Sequence, residues 1–311
     1  MLSLIESGVV GSEAILALYP ILIKTIPVNL PTQIVSRLLT FTGAAGIAAS
    51  KEDWLSVFGN LASLKRTLFL GALTSLHVYV SYVAFSSLSA GVAMSLFYTY
   101  PLWNLMGARL FFGEKAHADT FKLMAVGILG TFLVSTKGMS DEIRGITRNS
   151  AGALLGVVAA LAAAATESGM YFAVKVNERN NPWSSTLELY GGALLCILPL
   201  VLLQLIRVTF SWATWGPMIL FNLIIGFAGY ALRFYTIPKV STEVFGLLSF
   251  TGVLASFVFG YLFLKERPSL WSLVGAAMIA YAASRIETIK SPSVTSPTDA
   301  LQPPAQPSAS H

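Results

Sequence analysis

Apolar positions along the chain fall into ten blocks of about 20 residues, each long enough to cross roughly 30 Å of hydrocarbon as a helix. They lie near 8–26, 30–49, 67–86, 90–112, 118–137, 150–174, 183–206, 214–234, 240–264 and 268–286. Short polar breaks separate them, among them Lys51-Glu52-Asp53, Gly113-Glu114-Lys115, the stretch 177–182 and Lys265-Glu266-Arg267-Pro268. Runs such as Ala159 to Ala165 do not alternate, so the pattern predicts helices and not a membrane barrel. The expected fold class is all-α: a polytopic membrane protein of ten transmembrane helices.

Composition agrees with that pattern. Hydrophobic residues make up 55% and charged residues 11%, with mean hydropathy +0.69, against about 45–50% and 25% in soluble domains. One soluble core cannot hide that much apolar surface, which excludes an ordinary cytosolic enzyme, a disordered chain and a disulfide-rich secreted domain. The net charge of +5 comes from 20 Lys and Arg scattered between apolar runs, so they read as loop anchors and no nucleic-acid partner is expected. Cys196 is alone and there are three His, so no internal disulfide, metal or cofactor is expected. Residues 1–25 carry Glu6 and Glu13 where a cleavable signal would be basic. An even number of spans puts both termini on one side. With that side cytoplasmic, inside loops hold twelve of the basic residues and outside loops eight, the direction the positive-inside rule favours. Residues 291–311 turn to Ser, Pro, Thr and Gln without periodicity and read as a disordered tail.

The chain also repeats itself. Moving residues 82–130 forward by 152 puts Ser89 on Ser241, Val92 on Val244, Thr99 on Thr251, Leu110-Phe111 on Leu262-Phe263 and Glu114 on Glu266. Five spans per copy is an odd number, so the second copy must enter the membrane inverted. Opposed, near-equivalent halves are a recurrent transporter architecture. The expected organisation is a first repeat at 1–137, a connecting loop at 138–149, an inverted second repeat at 150–290, and the tail.

The stretch Val92-Ala93-Met94-Ser95-Leu96-Phe97-Tyr98-Thr99-Tyr100-Pro101, followed by Leu110-Phe111-Phe112-Gly113-Glu114-Lys115, resembles the EamA-type repeat of the drug/metabolite transporter superfamily. So does Leu262-Phe263-Leu264-Lys265-Glu266-Arg267-Pro268 in the second copy, with Arg37 at a basic position common early in the second span. The second copy departs in having Val253 for Pro101 and Lys265 for Gly113. The resemblance spans about residues 8–286 and implies ten helices, a central solute cavity between the halves and cytoplasmic termini.

Ionisable residues at membrane depth cost about 2.5–3.5 kcal/mol on insertion scales, which makes them functional candidates. Glu13 and Glu167 are the clearest, at near-corresponding places in the two repeats. Glu167, Tyr171 and Lys175 stack on one helix face, and this helix resembles the first helix of the small multidrug resistance antiporters. In those relatives such a Glu exchanges protons for cations, with Tyr171 here expected against the bound cation. Glu188 and Glu243 are weaker candidates, Glu243 being equally explained as an acid in a helix's first turn. Arg37 and Arg233 are each expected to pair with an acid. Glu114 and Glu266 are expected in tight surface loops, capping the helices that follow. The cavity lining expected from polar and aromatic positions is His77, Tyr79 and Tyr82 in span 3, Tyr98, Trp103 and Asn104 around Pro101 in span 4, and Asn222, Gly226 and Tyr230 along span 8.

These features point to a secondary transporter of a small polar metabolite, an amine or amino acid, with proton coupling through a carboxylate. A nucleotide-sugar or sugar-phosphate exchanger of the same superfamily is the alternative, with Lys24, Arg37 and Arg233 as its cations. A membrane scaffold is the second alternative. No Gly-rich nucleotide loop and no convergent nucleophile is present, so neither direct ATP drive nor an enzyme is expected. The expected partners are the solute, the bilayer and protons, and pairing with a second copy stays open.

Overall fold

The computed structural model describes residues 2–88, 90–114, 117–135, 151–177, 181–264 and 269–285. The loop at 138–149, the tail, Lys115 and Glu266 lie outside these residues. Among the described residues every regular element is helical.

Five helical stretches are long and apolar enough by themselves to cross a bilayer: Leu61–Ser87, Gly152–Lys175, Pro182–Leu202, Trp212–Lys239 and Thr242–Phe263. Their outer faces carry exposed large side chains such as Phe69, Leu202, Trp212 and Phe263, a surface that needs lipid as its solvent. In chain order the helices are α1 (Leu4–Leu16), α2 (Tyr19–Thr25), α3 (Leu30–Ala48), α4 (Lys51–Phe58), α5 (Leu61–Ser87), α6 (Ala90–Phe97), α7 (Tyr100–Phe112), α8 (Ala118–Val134) and α9 (Ala151–Lys175). There follow α10 (Pro182–Thr186), α11 (Gly192–Leu202), α12 (Trp212–Phe221), α13 (Ala228–Thr236), α14 (Thr242–Ser249), α15 (Thr251–Leu264) and α16 (Leu270–Ser284). Wide π turns at Leu187–Gly191 and Asn222–Phe227 join α10 to α11 and α12 to α13.

Three of the apolar blocks are broken where the sequence reading has one continuous span. The block at 8–26 breaks between α1 and α2, just before Tyr19-Pro20, and the block at 90–112 breaks between α6 and α7, just before Tyr100-Pro101. Proline offers no backbone N–H to the preceding turn, so a new helix starts there. The third break, at Phe250 between α14 and α15, has no proline. The hydroxyls of Thr99 and Thr251 bond the carbonyls of Leu96 and Leu248 at 2.7 and 2.6 Å, satisfying backbone that the breaks set free. These two threonines are the pair that the offset of 152 aligns. The polar break at 51–53 is itself structured. Ser50 and Asp53 form a capping box that starts α4, a short helix the apolar pattern missed.

Close helix contacts come from small residues. Gly71 on α5 meets Gly192 at the start of α11, where an added Cβ would lie 2.1 Å from a backbone carbon. Gly130 on α8 and Gly275 on α16 approach backbone to backbone in the same way. Inside the bundle lies one large apolar core, with small clusters around Trp215 and Val57 beside it, and the polar groups described next are set within the large one.

Candidate functional site

Four helices bring ionisable side chains to one buried place. Glu13 comes from α1, one turn before its break. His77 comes from the middle of α5, Glu167 from α9 and Arg233 from α13. All four are nearly or wholly inaccessible. The Arg233 guanidinium bridges the two acids, with Nη2 2.9 Å from Glu167 Oε1 and Nη1 3.5 Å from Glu13 Oε1. The Tyr98 and Tyr100 hydroxyls, at the break between α6 and α7, donate to Glu13 at 3.0 and 3.2 Å. Glu167 Oε2 lies 3.1 Å from His77 Nε2. The Arg233–Glu167 and His77–Glu167 contacts are close ion-pair approaches whose angles fall short of hydrogen bonds. The other ring nitrogen, His77 Nδ1, is 3.1 Å from Thr166 Oγ1, and that hydroxyl also lies 2.8 Å from the Ala162 carbonyl. Aromatic faces cover the cation, with Tyr100, Phe245 and Tyr230 within 5.0–6.0 Å of the guanidinium carbon.

A second cation, Arg37 on α3, sits in an aromatic box. Its guanidinium carbon is 4.6 Å from the Tyr19 ring centre, 5.0 Å from Tyr230, 5.2 Å from Phe41 and 5.5 Å from Tyr190. Nη2 donates to the Tyr190 hydroxyl at 2.9 Å, and Nε has no partner. Beside the box, Tyr19 donates to Asn222 Oδ1 at 2.9 Å, and Asn222 reaches Ser36 at 3.4 Å. Between the two arginines lies a small cavity of about 40 Å³, bordered by Arg37, His77, Ser81, Tyr82, Tyr98 and Arg233 among others. One water needs about 10–15 Å³ of such space, so the cavity has room for a few waters.

Residues 152–286 match the EamA-like transporter family. The chain carries an EamA-like transporter domain. The EamA-like family belongs to the drug/metabolite transporter superfamily, its members are transporters rather than enzymes, and the chain is a multi-pass integral membrane protein. A crystal structure of a protein 19% identical in sequence superposes on 90% of this chain and 95% of its own, with a TM-score of 0.66. At that identity the likeness shows the fold alone. No curated protein sequence matches the chain.

Two of the four central ionisable groups, Glu167 and Arg233, belong to the EamA-like domain, and the other two come from residues before it. Of the positions expected from sequence, Glu13, Glu167, His77, Tyr82, Tyr98 and Tyr230 gather around the cavity and its two arginines. Asn222 faces the Arg37 side through Tyr19, despite the π turn that interrupts its expected stripe with Gly226 and Tyr230.

Others stand elsewhere. Tyr79 does not share the face of Tyr82: it is 56% exposed on the outer surface, while Tyr82 is buried. Trp103 is 46% exposed and also points outward. Asn104 is buried with both side-chain polar atoms unpartnered, and it does not line the cavity. Tyr171 is one turn from Glu167, yet its hydroxyl donates to Thr242 at 3.0 Å and its ring packs on Phe245 and Phe172, away from the cavity. Glu243 accepts from the His117 backbone and the Thr120 hydroxyl, both at 2.7 Å, and so ties α14 to the start of α8. Glu188 pairs with the half-exposed Arg66 at 2.8 Å. Lys175 donates to the Val240 carbonyl at 2.7 Å. The expectation that each arginine pairs with one acid is corrected twice: Arg233 takes two, and Arg37 takes none among the described residues. Glu167 therefore offers no free carboxylate to a cationic solute in this conformation. Sequence reasoning also missed Tyr19 and Tyr190, whose signal was a polar tip deep inside an apolar span.

Proposed function

We propose that the chain is a secondary transporter that moves a small polar metabolite through the central cavity by alternating access, coupled to protons at Glu167 and His77. On this reading all ten apolar blocks cross the membrane, as inverted repeats at 1–137 and 150–290 joined by 138–149, with both termini cytoplasmic. The observation that carries it is the buried bridge Glu13–Arg233–Glu167–His77. It ties α1 and α5, from one half, to α9 and α13, from the other, and its His77 and Arg233 border the cavity. Charges so deep are expensive unless they do work there. Such a bridge can hold one conformation and let go in the next. The breaks at Thr99 and Thr251 support the repeat, because the two halves interrupt the same block at the same place.

The hydroxyl contacts support a proton at this site. Thr166 has one hydroxyl proton. With that proton on the closer Ala162 carbonyl, Nδ1 of His77 must donate to Thr166. His77 Nε2 is then the accepting nitrogen, 3.1 Å from Glu167 Oε2 and 3.5 Å from the Ser81 hydroxyl. A proton taken up between ring and carboxylate would relieve that approach, which makes the pair a candidate proton carrier in contact with the bridge.

Flux into proteoliposomes over a panel of amines, amino acids and nucleotide sugars tests the reading. The wild type should move at least one of them with a rate that depends on pH. Glu167→Gln should insert normally and lose that pH dependence. Transport by Glu167→Gln with an unchanged pH profile would make the carboxylate structural, and no flux of any solute by a folded wild type would reject transport.

A further inference from the structure

We propose that Arg37 is an anion subsite of this cavity, built to take one carboxylate group of the solute. The proposal rests on the transport reading above and names its substrate class: small monoanions and zwitterions that carry a carboxylate. Arg37 is 3% exposed and borders the cavity, yet no carboxylate lies within ion-pair distance of it among the described residues. The four rings around it attract the cation through their faces, the Tyr190 hydroxyl accepts from Nη2, and the Tyr82 and Tyr230 hydroxyls also lie against the guanidinium. Nε is left bare in a low-dielectric interior, where an unpaired donor on a charged group is costly. A buried guanidinium at a cavity wall with a donor still unpartnered is what a ligand's lone pairs would complete.

The chemistry selects the anion. A guanidinium edge matches a planar carboxylate through two parallel N–H bonds. A phosphate dianion calls for a second free cation, and the other arginine of the cavity is already committed to Glu13 and Glu167. The aromatic walls suit a compact group with an apolar body. The remainder of the solute would meet Ser81 and His77, polar groups that also border the cavity.

Thermal unfolding of the full chain in nanodiscs, followed by tryptophan fluorescence at matched ionic strength, tests this with sodium propionate, propylamine hydrochloride and sodium phosphate as probes. Propionate should raise the transition saturably in the wild type, while propylamine and phosphate should not. Arg37→Gln should abolish the propionate shift. Arg37→Lys keeps the charge and serves if the Gln variant does not fold; it should raise the half-maximal propionate concentration about tenfold, because a point charge replaces the fork. The proposal is overturned by a propionate shift that survives both variants, by a phosphate shift as large as propionate's, or by no propionate shift up to about 100 mM in the wild type. The two readings fail separately. Flux of a solute without a carboxylate, unchanged in Arg37→Lys, would leave transport standing and remove the subsite. An Arg37-dependent propionate shift in a protein that moves nothing would keep the subsite and reject transport.

Discussion

Replacing Arg233 by Met should be among the most damaging single changes in the protein, and the size of the loss can be worked from the bridge. Met keeps much of the buried volume and removes the cation. Glu13 and Glu167 are then left facing a dry interior, with Tyr98, Tyr100 and His77 as their remaining polar company. Truncating one partner of a buried ion pair costs about 3–5 kcal/mol, most of it the stranded charge. Here one truncation strands two carboxylates, so the loss should lie at the upper end, about 5 kcal/mol. At about 1.5 °C per kcal/mol for a chain of 311 residues, the unfolding transition in detergent should fall by roughly 8 °C. The triple variant Arg233→Met, Glu13→Gln, Glu167→Gln removes all three charges together. Whole buried triads replaced by neutral groups of similar size are often tolerated, so this variant should recover to within about 5 °C of the wild type while losing pH-dependent flux. A fall of less than about 3 °C for Arg233→Met, or a triple variant less stable than the single one, would show that the bridge is not the electrostatic centre argued here.

Gly71→Ala should lose about 1–3 kcal/mol and give less monodisperse protein on size exclusion, because its Cβ would strike the backbone at Gly192. Gly43→Ala, where an added Cβ meets nothing within 4 Å, should be silent in the same assay. Tyr171→Phe removes only the bond to Thr242 and should cost about 1 kcal/mol with flux unchanged, whereas Tyr171→Ala should cost about 3–5 kcal/mol in thermal unfolding. Truncation after Lys290 should leave insertion and flux as they are, since residues 291–311 hold few apolar side chains to bury.

Hydropathy made the helical blocks legible because lipid imposes one simple demand, an apolar length. The same demand hid the breaks. At Tyr19 and Tyr100 the apolar run continues while the helix restarts, and only the following prolines mark the change. The deep acids stood out by their cost, and the structure brings Glu13 and Glu167 to the same arginine. Which face a residue takes was less legible. Tyr79 and Tyr82 are close in sequence, yet one points outward and the other inward. In a membrane helix both faces are apolar, so an aromatic ring carries no periodic label. Which partners each arginine takes was not legible, since Arg37 and Arg233 meet side chains up to 220 residues away. The start of α4 shows the reverse case: Lys51-Glu52-Asp53 reads as a polar break between spans, yet Ser50 and Asp53 cap a short helix there.

The charges of the cavity suggest how proton and solute would be tied together. Glu13, Glu167, Arg233 and Arg37 sum to zero when all are ionised and His77 is neutral. A proton between His77 and Glu167 leaves one positive charge in excess, and Arg37 is the cation with no carboxylate to balance it. A carboxylate bound there restores neutrality. In a low-dielectric interior a lone charge is strongly disfavoured, so proton and carboxylate should each favour the other's binding, and reciprocally. On the two proposals above, a monocarboxylate would cross with one proton, and the loaded cavity would carry no net charge. Flux of such a solute should then follow an imposed pH gradient and ignore a potassium-diffusion potential set at equal pH. Flux driven by that potential alone would mean that the carboxylate moves without its proton, and the coupling between Arg37 and the His77–Glu167 pair would have to be abandoned.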